Sequence, residues 1–269
     1  MQQFINFAIF IFGASIGSFL NVLIDRLPKE ESINGRSHCD FCGKKIAWYD
    51  LFPVISFFVL KGKTRCCKKK LSWQYPLIEF ITGLVFVLIT SLQYSSVWLL
   101  NNWILFVSWL LFLGISSCLI VIFVSDLKYH LISDYLLLAL FIFSILFHFF
   151  GSTQGSTPTP IQLIQPIISG LVVSFLIWLI YFLSKERAMG LGDVYLTAIM
   201  GFLLGWQKGF LALYIAFVTG AIFGLMVILF KHRKLKSRIA FGPFLVIGTA
   251  TMLFWGNNIF EIIRKIYGF

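Results

Sequence analysis

The sequence predicts an all-α fold: a polytopic membrane protein of about eight transmembrane helices with one sizeable polar loop. Three observations carry that reading. The 269 residues are 59% hydrophobic and only 12% charged, and the apolar runs repeatedly reach the ~20 residues a helix needs to cross a bilayer core. Runs such as LISDYLLLALFIFSILFHFF lack the period-two alternation of barrel strands. A lipid-embedded backbone must pair its own amides, so such runs span as helices. Lys and Arg are confined to a few segments, which fixes an orientation across the membrane.

Taken in order, the spans fall at about 3–24, 76–92, 103–125, 132–150, 162–184, 194–207, 209–230 and 240–262. The first has no basic stretch ahead of it and no small-residue cleavage site, so it reads as a retained helix and not a signal peptide. Its Gly13, Ser15, Gly17 and Ser18 suit close packing against another helix. The expected organisation is a first transmembrane helix (1–25), a cysteine-containing loop module (26–75) and a transmembrane core (76–269). Pro76 and Glu79 suit the start of the second span, and Trp98, Trp103 and Trp206 suit membrane interfaces.

Eleven Lys and Arg lie between Arg26 and Ser72, one at Lys128, two at Lys185 and Arg187, and five from Lys231 to Arg238. The opposite face holds only Lys208, Arg264 and Lys265, so nineteen stand against three. Positive loops face the cytoplasm, which puts the N-terminus and the uncharged loop GSTQGSTPTP outside. The net charge of +11 is thereby a matter of topology, with attraction to anionic membrane lipids second, and it does not argue for a nucleic-acid partner.

This topology brings two carboxylates to one depth. Asp126 ends the third span and Asp193 opens the sixth, and those spans cross in opposite directions. Either aspartate alone has a plain structural reading, Asp193 as a first-turn acid favoured by the helix dipole and Asp126 as a solvated helix end. Paired at a membrane border in a chain with eleven acidic residues, they are candidates for chemistry. Two neighbouring carboxyls that share a proton activate water, one as base while the other polarises a carbonyl, as in aspartyl proteolysis. Gly190 and Gly192 strip side chains from around Asp193, permitting unusual backbone angles and close approach of an extended peptide. A transporter would place its acids near the bilayer centre in broken, repeated helices, and no repeat is evident. No glycine-rich Rossmann fingerprint marks a nucleotide site.

In the polar module, CDFC at 39–42 is followed by GKTRCCKKK. Cys39, Cys42, Cys66 and Cys67 have the spacing of a small zinc clip, with His38 a further candidate ligand; the alternative is a set of ordinary cytoplasmic thiols. Cys118, inside the third span, reads as a buried apolar residue.

Seven ordered segments carry a family resemblance: GSFLNVLIDRLP (17–28), CDFC (39–42), WYDLFPVISF (48–57), LSWQYPLIEF (71–80), SDLKYHLISD (125–134), GLGDVYL (190–196) and FGPFLVIG (241–248). The chain resembles the type IV prepilin peptidases, a family of leader peptidases and N-methyltransferases that includes competence prepilin peptidases. The resemblance implies cleavage of the basic leader from prepilins or pseudopilins, with Asp126 and Asp193 catalytic and no metal in the proteolysis. It also implies S-adenosylmethionine as donor for methylating the new N-terminus. Glu79 is expected to cap its helix or to help shape the active face. The chain departs from the family pattern at Tyr195, where a lysine is common, at Ser133-Asp134 in place of Pro-Asp, and at Thr64, where the third cysteine belongs. Asp134 is read as the start of the fourth span.

Overall fold

The computed structural model describes residues 2–35, 37–39, 41–93, 102–151, 160–185, 189–231 and 240–267. These form α1 (Gln2–Arg26), α2 (Ile55–Val59), α3 (Gln74–Gln93), α4 (Trp103–Tyr129), α5 (Asp134–Gly151), α6 (Pro160–Ser184), α7 (Leu191–Lys231) and α8 (Gly242–Tyr267). Among the described residues there is no strand, only two isolated bridges in the polar module. Six helices are long and apolar enough to span, and α5 is a shorter apolar helix that begins at Asp134 as expected. The protein is an all-α, multi-pass membrane protein. Residues 152–159 of the uncharged loop, the basic stretch 232–239, Arg187 and Trp98 lie outside the described residues.

The chain divides inside α4 into two compact units, 1–109 and 110–269. In the first, α1 and α3 meet along glycines. A Cβ on Gly17 would stand 2.7 Å from the Glu79 Cα, and one on Gly13 would stand 2.9 Å from the Gly83 Cα. In lipid, where apolar helices gain little by leaving solvent, backbones packed this closely supply the attraction. Ser15 departs from the expectation: it is exposed and donates to the Ile11 carbonyl, because it sits about 160° around the helix from the Gly13–Gly17 stripe.

In the second unit, a Cβ on Gly170 of α6 would stand 2.8 Å from the Ala198 carbonyl oxygen, and one on Gly201 of α7 the same distance from the Ser169 carbonyl oxygen. Further along α7, Gly248 of α8 sits against the Ala212 carbonyl. The sixth and seventh expected spans belong to α7, broken at Gly205 (φ 79°, ψ 164°) rather than between 207 and 209. A Cβ on Gly209 would lie 3.4 Å from the Gly201 Cα. Eight residues of unbroken helix would separate them by about 12 Å. The chain therefore reverses at Gly205, making two arms, 191–204 and 206–231. The reversal frees the Phe202 carbonyl from its helical partner, and His148 Nε2 of α5 sits 2.8 Å from it.

Candidate active site

Asp126 occupies the last turn of α4, which stops where His130 turns left-handed (φ 53°) and its N–H bonds back to the Asp126 carbonyl. Asp193 occupies the first turn of α7. Both carboxyls are buried, at 5% and 9% exposure, in a unit whose ends the sequence places at the membrane border. They are close enough to act on one another electrostatically.

Each lies against a glycine at a helix start. The Gly190 N–H donates to Asp193 Oδ2 (3.3 Å), the half of a capping box that a glycine can take part in, while the Asp193 N–H donates to the Gly190 carbonyl (3.2 Å) as in any first turn. Asp126 lies against Gly242, the first residue of α8: a Cβ there would stand 2.5 Å from Asp126 Oδ2. Two positive helix ends thus converge on two carboxyls.

The glycines act through space and not through backbone angle. Neither Gly190 nor Gly192 has a positive φ, which corrects the expectation of unusual backbone geometry; both continue into an ordinary helix start. Among the described residues, a Cβ on Gly190 would meet nothing nearer than Asp193 Oδ2 at 3.8 Å, and Gly190 is itself exposed, which suits an approaching peptide backbone. A Cβ on Gly192 would stand 3.3 Å from the Ile132 Cβ, and one on Gly242 3.2 Å from the Ile132 Cδ1. Ile132 and Gly242 are the neighbours that residue-level reasoning missed. The available signal was the Gly242-Pro243 pair opening an apolar run.

Glu79 lies in the other unit, buried in the second turn of α3, where its carboxylate accepts the Val54 N–H at 2.7 Å. Val54 has φ 61° and ψ −51°, which a β-branched residue holds only when its surroundings compel it. Glu79 is thus the peg that fastens the loop module to the α1–α3 pair. Nearby, Asn21 donates to the Gly17 and Tyr75 carbonyls, and the Tyr75 hydroxyl donates to Asp25.

The four loop thiols gather, all Sγ atoms lying within 4.8 Å of one another. Cys42 and Cys66 are 3.2 Å apart, Cys39 and Cys67 3.7 Å, and Cys66 and Cys67 3.9 Å. A tetrahedral metal with ~2.3 Å bonds to sulfur needs edges of about 3.8 Å, so the donor set suits a metal ion. Two tight turns present them. One is closed by Cys39 N–H to the Lys44 carbonyl, the other by Thr64 N–H to the Lys69 carbonyl. Cys66 completes the group, and His38 instead lies beside Arg26. Thr64, standing where the family has cysteine, keeps a place at the edge, its hydroxyl 3.1 Å from Cys67 Sγ. That hydroxyl and the Lys69 amide bring the Cys67 thiol down to about 6, while hydrogen bonding to Cys42 pushes Cys66 up to about 12.

Residues 113–225 match the model of the Type IV leader peptidase family, and residues 11–93 match that of the Bacterial Peptidase A24 N-terminal domain. Similar curated proteins are named prepilin leader peptidase/N-methyltransferase. That of Aeromonas salmonicida (strain A449) is 31% identical over 93% of this chain and 91% of its own length. That of Klebsiella pneumoniae is 34% identical over 74% and 85%, and that of Pseudomonas putida 27% identical over 96% and 93%. No solved structure gives a significant match. The two matched segments fall one in each unit, the second of them carrying both aspartates. The chain belongs to the type IV leader peptidase family.

Proposed function

We propose that this protein is a membrane aspartyl endopeptidase that removes the basic leader from type IV prepilins or pseudopilins, with Asp126 and Asp193 as its catalytic pair. The observation that carries the reading is the approach of two buried carboxyls from separate helices, each set against a glycine at a helix start. One carboxylate takes a proton from water, and the resulting hydroxide adds to the scissile carbonyl, which the protonated partner polarises. Collapse of the tetrahedral intermediate breaks the C–N bond, and the proton passes to the departing amine. The protons belong to the pair, so neither residue is named the sole acid or base.

By the distribution of Lys and Arg, the N-terminus lies outside and the pair at the cytoplasmic face. A prepilin presents a basic leader joined to an apolar helix, so its junction rests at the same depth. The open side at Gly190 admits its backbone in extended form.

The loop thiols hold zinc in this reading, with Cys39, Cys42, Cys66 and Cys67 as ligands. The ion would cross-link the two turns and so stabilise the module, apart from proteolysis. The relatives' names also carry N-methyltransferase, and a second activity, methylation of the new N-terminus from S-adenosylmethionine, is proposed on that ground. The described residues offer no strand–glycine loop–helix edge for a nucleotide, so no residue is assigned to the methyl donor.

The test is co-expression with a candidate prepilin and mass spectrometry of its N-terminus. Asp126→Asn and Asp193→Asn should each abolish cleavage while the protein still inserts, since an amide cannot exchange the shared proton. Asp134→Asn should retain activity. Full processing by either of the first two variants overturns the assignment.

A further inference from the structure

At the start of α8, Phe241 caps the helix: its carbonyl accepts the N–H groups of Phe244 (3.0 Å) and Leu245 (3.2 Å). Pro243 has no N–H to give. Gly242 therefore carries a donor of this helix end that the helix itself does not use, and it sits beside the Asp126 carboxyl. The same residue must be glycine for a second reason. A Cβ there would stand 2.5 Å from Asp126 Oδ2 and 3.2 Å from the Ile132 Cδ1. Carbon and oxygen not bonded to each other settle at about 3.3 Å, so the carboxylate would have to move by roughly 0.8 Å. Helix α8 has little freedom to retreat in its place, because Gly248, under two turns further on, is seated against the Ala212 carbonyl.

We propose that Gly242 is a positioning residue for the cleavage reaction: its missing side chain leaves Asp126 the room to keep the orientation from which it shares a proton with Asp193. The proposal rests on the reading of those two aspartates as the catalytic pair. Because the water, the scissile carbonyl and both carboxyls must be aligned at once, a displacement near 1 Å costs about a hundredfold in rate. The cost falls on the chemical step. Prepilin is bound over a long apolar helix and a basic leader, contacts in which Asp126 has little part.

The experiment measures prepilin cleavage by the full-length, membrane-inserted enzyme, with rates normalised to inserted protein. Gly242→Ala should lower kcat by about a hundredfold and leave KM within about threefold. A role confined to stability would instead lower the amount of inserted protein and leave kcat per molecule intact. The control Gly220→Ala, whose Cβ would meet the Phe244 ring at 3.4 Å on the same helix pair, should cleave normally. The double variant Gly242→Ala/Ile132→Ala removes the other neighbour of the new Cβ and should stay about a hundredfold slow, since the clash with Asp126 persists. It also serves as the measurable variant if Gly242→Ala alone fails to accumulate. Near-normal kcat in Gly242→Ala, or recovery in the double variant, overturns the proposal. Asp126→Asn runs in parallel. If it is inactive while Gly242→Ala cleaves, only the positioning role fails; if it cleaves, the catalytic pair itself was misassigned.

Discussion

Replacing Gly205 by alanine isolates the cost of reversing a helix inside the membrane. A Cβ at Gly205 would meet nothing within 4 Å, so packing sets no penalty. Its backbone, at φ 79° and ψ 164°, lies where essentially only glycine is at ease. Holding an L-residue there costs about 1–3 kcal/mol, a tenfold loss in the folded ratio for each ~1.4 kcal/mol. In a chain of this size that lowers the melting temperature by roughly 2–12 °C. Asp193 sits twelve residues away along the first arm, about 18 Å, so cleavage per folded molecule should stay normal. The assay is thermal unfolding of the purified protein in detergent, followed by intrinsic fluorescence, beside prepilin cleavage at a permissive temperature. Gly201→Ala is the contrasting variant. Its Cβ would press on the Ser169 carbonyl oxygen at 2.8 Å, so it should lose more stability despite an ordinary helical backbone. An unchanged melting temperature for Gly205→Ala, or a larger loss there than at Gly201, would refute the account of the reversal.

Two further predictions concern the loop module. Cys66→Ser should release most of the bound zinc, and adding Thr64→Cys should restore it, because residue 64 already reaches within 3.1 Å of Cys67 Sγ; metal analysis of protein purified without chelators reads both, and zinc retained by Cys66→Ser rules out the four-thiol site. In metal-free protein at neutral pH, iodoacetamide should alkylate Cys67 before Cys66, with the Cys67 rate rising through a midpoint near pH 6. Because the fold lowers that thiol from 9.0 to about 6, its contribution to loop stability is complete above pH 9 and lost as pH falls through 6. Peptide mapping that finds Cys66 labelled first would contradict the hydrogen-bond arrangement around Thr64.

The spans and the placing of Asp126 and Asp193 at helix ends were legible because each depends on a one-dimensional property, apolar length. Gly13 and Gly17 were legible for a related reason: four residues apart, they line one helix face without reference to the partner. Ser15 was misplaced because small size alone does not say which face a residue occupies. The reversal was expected at 207–209, where Gln207 and Lys208 interrupt the apolar run; the backbone turns at Gly205, since reversal requires a conformation and not a charge. Glu79 looked like a helix-start acid. Its partner, the strained Val54 amide, is 25 residues away and has no sequence signature.

The site itself shows the same division between what residue type declares and what only packing can. The glycines of GLGD advertise conformational freedom, yet Gly190 and Gly192 have no positive φ, and their value lies in the atoms they lack. Gly242 does the corresponding work for Asp126 from 116 residues downstream. A carboxyl taken out of water needs donors, and at a helix start the backbone supplies them at no further cost in side-chain entropy. Using glycine there lets the amide approach as nearly as a hydrogen bond requires. Asp193 is thus oriented by a main-chain group, which a substitution can displace but cannot delete, except by proline, and Asp126 by the room that Gly242 leaves it. Changes at Gly242 should therefore act through crowding, and the size of the introduced side chain, more than its polarity, should set how much cleavage is lost.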